Sequence, residues 1–168
     1  IFDFCQNLEF FSQELEGSEG ALAQPLSQRL FNARLELIGL LDQRLTQGGV
    51  AEAPAQSFAL TETAIRNDTA TLLHSMVAGM SLANFVVRPQ RRWVEAWAQP
   101  DAWKRPSAEQ LAEVAEHLSG LPTAVRDDDE DAKRFDALML GTQLALLRSE
   151  PALARLQAKV QQLASSLL

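Results

Sequence analysis

The segment AKRFDALMLGTQLALL, at residues 132–147, constrains the fold more than any other, because it is apolar over most of its length. After Arg134 its only interruptions are Asp136, Gly141, Thr142 and Gln143. On a helical wheel the polar positions form one narrow stripe, so neighbouring elements must cover such a helix on several sides. We therefore predict the buried central helix of a bundle, with Phe135, Leu138, Met139 and Leu146 packed among at least three neighbouring helices.

Apolar residues recur at three- and four-residue steps in further segments, which predicts more amphipathic helices. One helix is expected from Leu26 to the glycines Gly48 and Gly49, and another over residues 58–80. Pro89 can open a helix that carries Trp93 and Trp97 and stops at Pro100. Residues 82–87 are predicted to be extended, because Arg88 precedes a proline. The apolar residues among positions 1–11 fit either a short helix or an extended entry.

Local signals mark the ends of the remaining helices. Ser107 and Gln110 have the spacing of a capping box, which predicts a helix that runs to Gly120 and Pro122. The run DDDED at residues 127–131 is typical of a helix start, where acidic side chains favour the positive end of the dipole. After Glu150 and Pro151, an a/d heptad pattern predicts a last helix, antiparallel to the segment at 132–147 after a loop of two or three residues. Its members are Leu153, Leu156, Val160, Leu163 and Leu167.

No alternating pattern of β-strands bounded by hairpin turns occurs, so the fold class is predicted to be all-α, a bundle of about six to eight helices. The 168 residues suit a single helical domain. Because the chain opens on Ile1 rather than methionine, we expect it to be the C-terminal fragment of a larger multidomain protein. The single cysteine, Cys5, fits a reducing compartment, and no apolar run is long enough to span a bilayer. We predict a cytoplasmic protein with no membrane partner.

The sequence contains no recognisable catalytic constellation. It has no G-x-x-x-x-G-K-[ST] phosphate loop, no nucleophile elbow and no C-x-x-C or H-E-x-x-H zinc motif. His74 lies among apolar residues and is interpreted as a structural histidine, whereas His117 lies on a polar face and is expected to be solvated. The acidic run at 127–131 is explained as a helix start rather than a metal site. We therefore predict no catalytic, cofactor-binding or metal-binding residue, and neither ATPase nor nuclease activity.

One stretch leaves a functional interpretation open. The formal net charge of −7 opposes general nucleic-acid binding, but residues 88–105 have a local balance of +3. Basic side chains there could contact phosphates while an indole stacks on a base. The candidate DNA contacts are Arg88, Arg91, Arg92, Trp93, Trp97, Lys104 and Arg105. The alternative is that both indoles anchor the core and the arginines pair with acidic residues elsewhere.

Three segments, in this order, carry a family resemblance: IFDFCQNLEFF, NFVVRPQRRWVEAW and RFDALMLGTQLALL. They resemble the region that follows the helicase motor in the R subunit of type I restriction-modification enzymes, and a similar region occurs in some related DEAD/DEAH-box proteins. The resemblance spans nearly the whole chain, but each segment is a pattern of apolar, aromatic and arginine residues rather than a catalytic signature.

The resemblance implies a non-catalytic C-terminal assembly domain that docks a motor onto a methyltransferase core. The implied partners are the methyltransferase and specificity subunits of a restriction-modification complex, with double-stranded DNA bound by the parent protein. That parent would be a type I site-specific deoxyribonuclease that translocates DNA with ATP and Mg. None of the family's ATP-binding or nuclease motifs lies in this chain. The alternative function is a DNA-contacting helical accessory module of a helicase.

Overall fold

The computed structural model describes residues 24–47, 53–125 and 129–166, and these residues form helices and turns without a strand. The described α-helices are α1 (Leu26–Gln47), α2 (Ala53–Ala78), α3 (Arg91–Trp97), α4 (Ala108–Leu118), α5 (Glu130–Arg148) and α6 (Leu153–Ser166). Two 3-10 turns, Arg88–Gln90 and Pro100–Trp103, flank α3. The predicted all-α bundle is confirmed. The predictions for residues 1–11, Gly48, Gly49, Asp127, Asp128 and Leu167 concern positions outside the described residues.

The helix at the centre of the bundle is α1, which packs against α2, α4 and α5. Its apolar residues are buried on two sides rather than along a single stripe. Phe31, Leu35 and Ile38 face one hydrophobic cluster, while Leu37 and Leu41 face another. One helix thus holds both halves of the core together.

The two clusters differ in their composition. The larger contains every tryptophan of the chain, with Trp97 and Trp103 buried and Trp93 partly buried against them. It draws its other buried residues from α1, α2, α3, α4 and the segment between α2 and α3: Phe31, Leu35, Ile38, Ala70, Leu73, Val77, Met80, Val87, Val94, Leu111, Val114 and Leu118. The smaller cluster joins α1 to α5 through Leu30, Leu37, Leu41, Leu140 and Leu144. Both clusters include residues of α1.

The central position predicted for α5 is wrong. This helix packs mainly against α1 and α6. Leu138 is buried as expected and Met139 is half-buried, but Phe135 is 48% exposed and Leu146 is 55% exposed. Hydropathy shows that a helix could be covered on several sides, but it does not determine which helices pack against it. The helix with three neighbours is α1 instead.

The starts of α4 and α5 follow the sequence signals, whereas α2 begins at Ala53, five residues before the predicted start at residue 58. At α4 the Ser107 hydroxyl accepts a hydrogen bond from the Gln110 backbone, and the Gln110 side chain accepts one from the Ser107 backbone, so the capping box is confirmed. At α5 the Asp129 side chain caps the first turn by accepting from the Asp131 and Ala132 backbone N–H groups. Ser149 ends α5 with a left-handed backbone (φ 55°). Residues 149–152 connect α5 to α6, slightly more than the two or three residues predicted.

Residues 82–87 form consecutive turns, and the predicted extended segment is therefore wrong. The Asn84 carbonyl accepts hydrogen bonds from the Val87 and Arg88 backbone N–H groups. The Asn84 side chain also accepts one from the Val86 N–H, at 2.9 Å. An asparagine that bonds to the backbone two residues on favours a turn, and this local effect outweighs the bias of the proline that follows Arg88.

None of the helices in the described ranges is long and apolar enough to cross a membrane. The last of them, α6, contacts α5, and its predicted seam residues Leu153, Leu156, Val160 and Leu163 are half-buried. A short connection between two contacting helices is typical of an antiparallel helical hairpin, as predicted.

Candidate functional site

Residues 88–105, which we call the tryptophan-basic stretch, divide into a buried part and an exposed part. Trp97 is only 5% exposed, and its ring meets that of Trp103 edge-on, with centroids 5.0 Å apart. The Trp103 indole N–H donates to the Trp97 carbonyl at 2.8 Å. The Trp97 indole therefore anchors the core, as the structural alternative predicted, and it is not accessible to a nucleic acid.

Trp93 is half-buried, and its ring already has partners. The His117 ring stacks on it with centroids 4.5 Å apart and an angle of 13°, and the Arg92 guanidinium carbon lies 4.7 Å from the indole centroid. The prediction that His117 is solvated is wrong, because this stacking holds it half-buried between α3 and α4. A base could stack on Trp93 only by displacing one of these contacts.

The basic side chains of the stretch lie on the surface, and two of them are paired. Arg91 donates to Glu95 at 2.7 Å, and Lys104 lies 2.7 Å from an Asp101 oxygen. The hydrogen bond and charge of Asp101 raise the pKa of Lys104, and those of Lys104 lower the pKa of Asp101. Both pairs are exposed, and such pairs contribute little to stability. Arg88, Arg92 and Arg105 form no ion pair among the described residues.

An open groove of about 1050 Å³ runs between α1, α2 and α4. Its apolar lining includes Leu35, Gly39 and Leu111, and a Cβ on Gly39 would lie only 3.4 Å from the Leu111 side chain. Arg66 lies in the groove wall, buried, and donates to both carboxylate oxygens of Asp42 at 2.8 and 2.9 Å. It also donates to the Lys104 carbonyl at 3.0 Å. Because these groups satisfy one another, we interpret the pair as a brace between α1, α2 and the segment before α4.

A row of side chains on α5 is only partly covered by the described helices, since Phe135 and Leu146 are exposed and Met139 and Thr142 are half-buried. Phe135, Met139, Thr142 and Leu146 are spaced by four, three and four residues, so they share one face of the helix. We call these four residues the docking stripe. The buried residues Leu140 and Leu144 of the same helix pack on α1 from another side. The ion pair between Arg34 and Asp136, at 2.8 Å, and the contacts with α6 fix the orientation of the stripe.

Residues that could hold a metal ion are not clustered in the described part of the chain. No group of three or more His, Cys, Asp or Glu residues there could hold a metal ion. A ring nitrogen of His74, Nε2, lies 2.9 Å from the Ala98 carbonyl, which fits the structural role predicted for this histidine.

Sequence reasoning did not single out three of the residues that shape these surfaces. Arg34 and Arg66 are buried charges, and Phe85 is 83% exposed. The burial of the two arginines could have been predicted, since each occupies a position on the apolar stripe of its helix. The exposure of Phe85 could not have been predicted from the sequence pattern, because it depends on the turn at 82–87.

Comparisons of the chain with protein-family models, curated proteins and solved structures gave no match. The class of protein is therefore defined by the fold and its surfaces: an all-α helical bundle with an exposed apolar stripe on α5.

Proposed function

We propose that this chain is a non-catalytic assembly domain, which docks a larger motor protein onto its partners through the docking stripe of α5. The resemblance to the R subunit of type I restriction-modification enzymes supports the choice of partners. These would be the methyltransferase and specificity subunits. ATP, Mg and double-stranded DNA would be bound by other parts of the parent protein.

The observation that carries the proposal is the exposure of Phe135 and Leu146 on a helix that is otherwise well anchored. Burying a side chain of this kind fully is worth about 1.5–3 kcal/mol, and each is close to half buried already. A partner would therefore gain about half of that range from each residue. Aromatic and aliphatic anchors on a rigid helix face are common at protein interfaces, where a few residues dominate the affinity.

The test is the binding of the chain to a purified complex of methyltransferase and specificity subunits, followed by size-exclusion chromatography and calorimetry. We expect the double variant Phe135→Glu with Leu146→Glu to lose binding, because the two carboxylates would have to be desolvated at the interface. Leu72→Glu is the matched control, since Leu72 is an exposed leucine of α2 outside the docking stripe.

Two results would contradict the proposal. One is a double variant that binds as well as the wild type. The other is self-association of the chain alone that the same double variant abolishes, which would assign the stripe to a second copy of the chain.

A DNA-contacting accessory role is the second candidate, supported by Arg88, Arg92 and Arg105, which form no ion pair with the part of the chain that the structure describes. Its support is reduced by the burial of Trp97 and by the ion pairs of Arg91 and Lys104. Duplex binding by this route should be weak, fall steeply with salt and decrease in the double variant Arg91→Ala with Arg92→Ala.

A further inference from the structure

The turn at residues 82–87 exposes an aromatic side chain to solvent next to a buried valine. Val87 is fully buried in the larger cluster, while Phe85, two residues earlier, is 83% exposed. Val86 is also exposed, at 43%. No other large apolar side chain that the structure describes is as exposed.

Hydrogen bonds hold the turn in one conformation. The Ser81 carbonyl accepts from the Asn84 N–H at 2.9 Å, and the Asn84 carbonyl accepts from the Val87 and Arg88 N–H groups at 3.2 and 2.9 Å. The Asn84 side chain accepts from the Val86 N–H. A ligand that contacts Phe85 therefore meets a pre-organised backbone and does not have to order the loop.

The charged residues next to the turn in the sequence have one sign. Arg88 directly follows it, Arg92 lies one helical turn further on, and no acidic residue occurs in the sequence between Asp68 and Glu95. Arg88 donates a long hydrogen bond, at 3.4 Å, to the Ala83 carbonyl and has no ion pair with any other described residue. Arg92 rests on the Trp93 ring without an ion pair among the described residues. Both guanidinium groups are exposed and can turn towards an anion.

We propose that Phe85, Arg88 and Arg92 form a contact site for single-stranded nucleic acid. The exposed ring would stack on an unpaired base, and the two arginines would bind the phosphates beside it. This combination of an aromatic platform with unpaired basic side chains is typical of sequence-tolerant single-strand binding. The site assigns the stacking role to Phe85, because Trp97 is buried and Trp93 is already stacked on His117. It is independent of the docking stripe and of the assembly function proposed above.

The direct test is fluorescence anisotropy of a labelled oligodeoxythymidylate titrated with the full chain at low salt. Phe85→Ala should weaken binding by about 5- to 150-fold, the effect expected for the loss of one base–aromatic stack. Phe85→Trp should retain binding, whereas Phe85→Leu should not, because leucine keeps an apolar side chain but removes the ring. Leu72→Ala, a truncation of an exposed apolar residue on α2, should bind like the wild type.

The arginines are tested through the salt dependence. The double variant Arg88→Ala with Arg92→Ala should reduce the slope of log affinity against log salt by about 0.7 for each lost contact. The double variant Arg29→Ala with Arg44→Ala, which removes two exposed cations of α1, should leave that slope unchanged. Circular dichroism of every variant checks that the helices are intact.

Several results would overturn the proposal. These are a wild-type chain that does not bind the oligonucleotide, a Phe85→Ala variant with unchanged affinity, and a Phe85→Leu variant that binds as tightly as the wild type. Binding to vesicles of anionic lipid, without binding to the oligonucleotide, would assign the turn to a membrane surface instead.

Discussion

At the residue scale, two arginines carry charges into the core, and each is neutralised by a carboxylate from another helix. Arg34 of α1 pairs with Asp136 of α5, and Arg66 of α2 pairs with Asp42 of α1. A buried guanidinium is tolerated only when it is paired and its N–H groups have acceptors. The sequence marks both arginines, because Arg34 lies four residues from Leu30 and Ile38, and Arg66 lies four residues before Ala70. It does not identify their partners, which depend on how the helices pack.

The first prediction at this scale concerns the removal of one partner of a buried pair. Asp42→Ala should lower the free energy of unfolding by about 3–5 kcal/mol, because Arg66 would remain buried without its carboxylate. The control is Glu62→Ala, which removes the pair with Arg44 that also joins α1 to α2 but whose arginine side chain is 55% exposed instead of buried. Its cost should be about 0–1 kcal/mol. Urea denaturation measures both, and equal losses for the two variants would be inconsistent with a brace at Arg66.

At the element scale, the starts of α4 and α5 were accessible from the sequence, whereas the start of α2 and the packing partners of the helices were not. The capping box of Ser107 and Gln110 and the acidic start of α5 are local signals, and both occur where the sequence places them. The exposure of Phe135 and Leu146 is a tertiary property. An apolar run states how much of a helix can be buried, but only the arrangement of the other helices decides how much is buried.

Two residues of α5 test this difference within one helix. Leu138→Ala should cost about 2–5 kcal/mol, the range for truncating a well-packed core side chain. Phe135→Ala should cost much less, because the Phe135 side chain is nearly half exposed and leaves no closed cavity. Thermal and urea unfolding followed by circular dichroism give both values. A larger loss for Phe135→Ala than for Leu138→Ala would show that the stripe is part of the core.

At the scale of the whole molecule, α1 couples two hydrophobic clusters that share no other helix among their buried residues. All three tryptophans report on the larger cluster, whereas Leu144 belongs to the smaller one. Because both clusters use α1 as a wall, unfolding one should expose the other. The bundle is therefore expected to unfold as one cooperative unit.

This coupling predicts a remote effect. Leu144→Ala should shift the urea midpoint measured by tryptophan fluorescence by the same amount as the midpoint measured by far-UV circular dichroism. The matched variant Val114→Ala, in the larger cluster, should also shift both signals together. A fluorescence transition that stays in place while circular dichroism moves would mean that the two clusters unfold separately.

The central claim, that the docking stripe binds a protein partner, is tested most directly by site-specific photo-crosslinking. A benzophenone amino acid in place of Phe135 should crosslink the chain to the methyltransferase–specificity complex, and the same amino acid in place of Leu72 should not. Mass spectrometry of the adduct would identify the partner surface. Crosslinks from position 72 but not from position 135, or no crosslink from position 135 in a complex that does form, would contradict the claim.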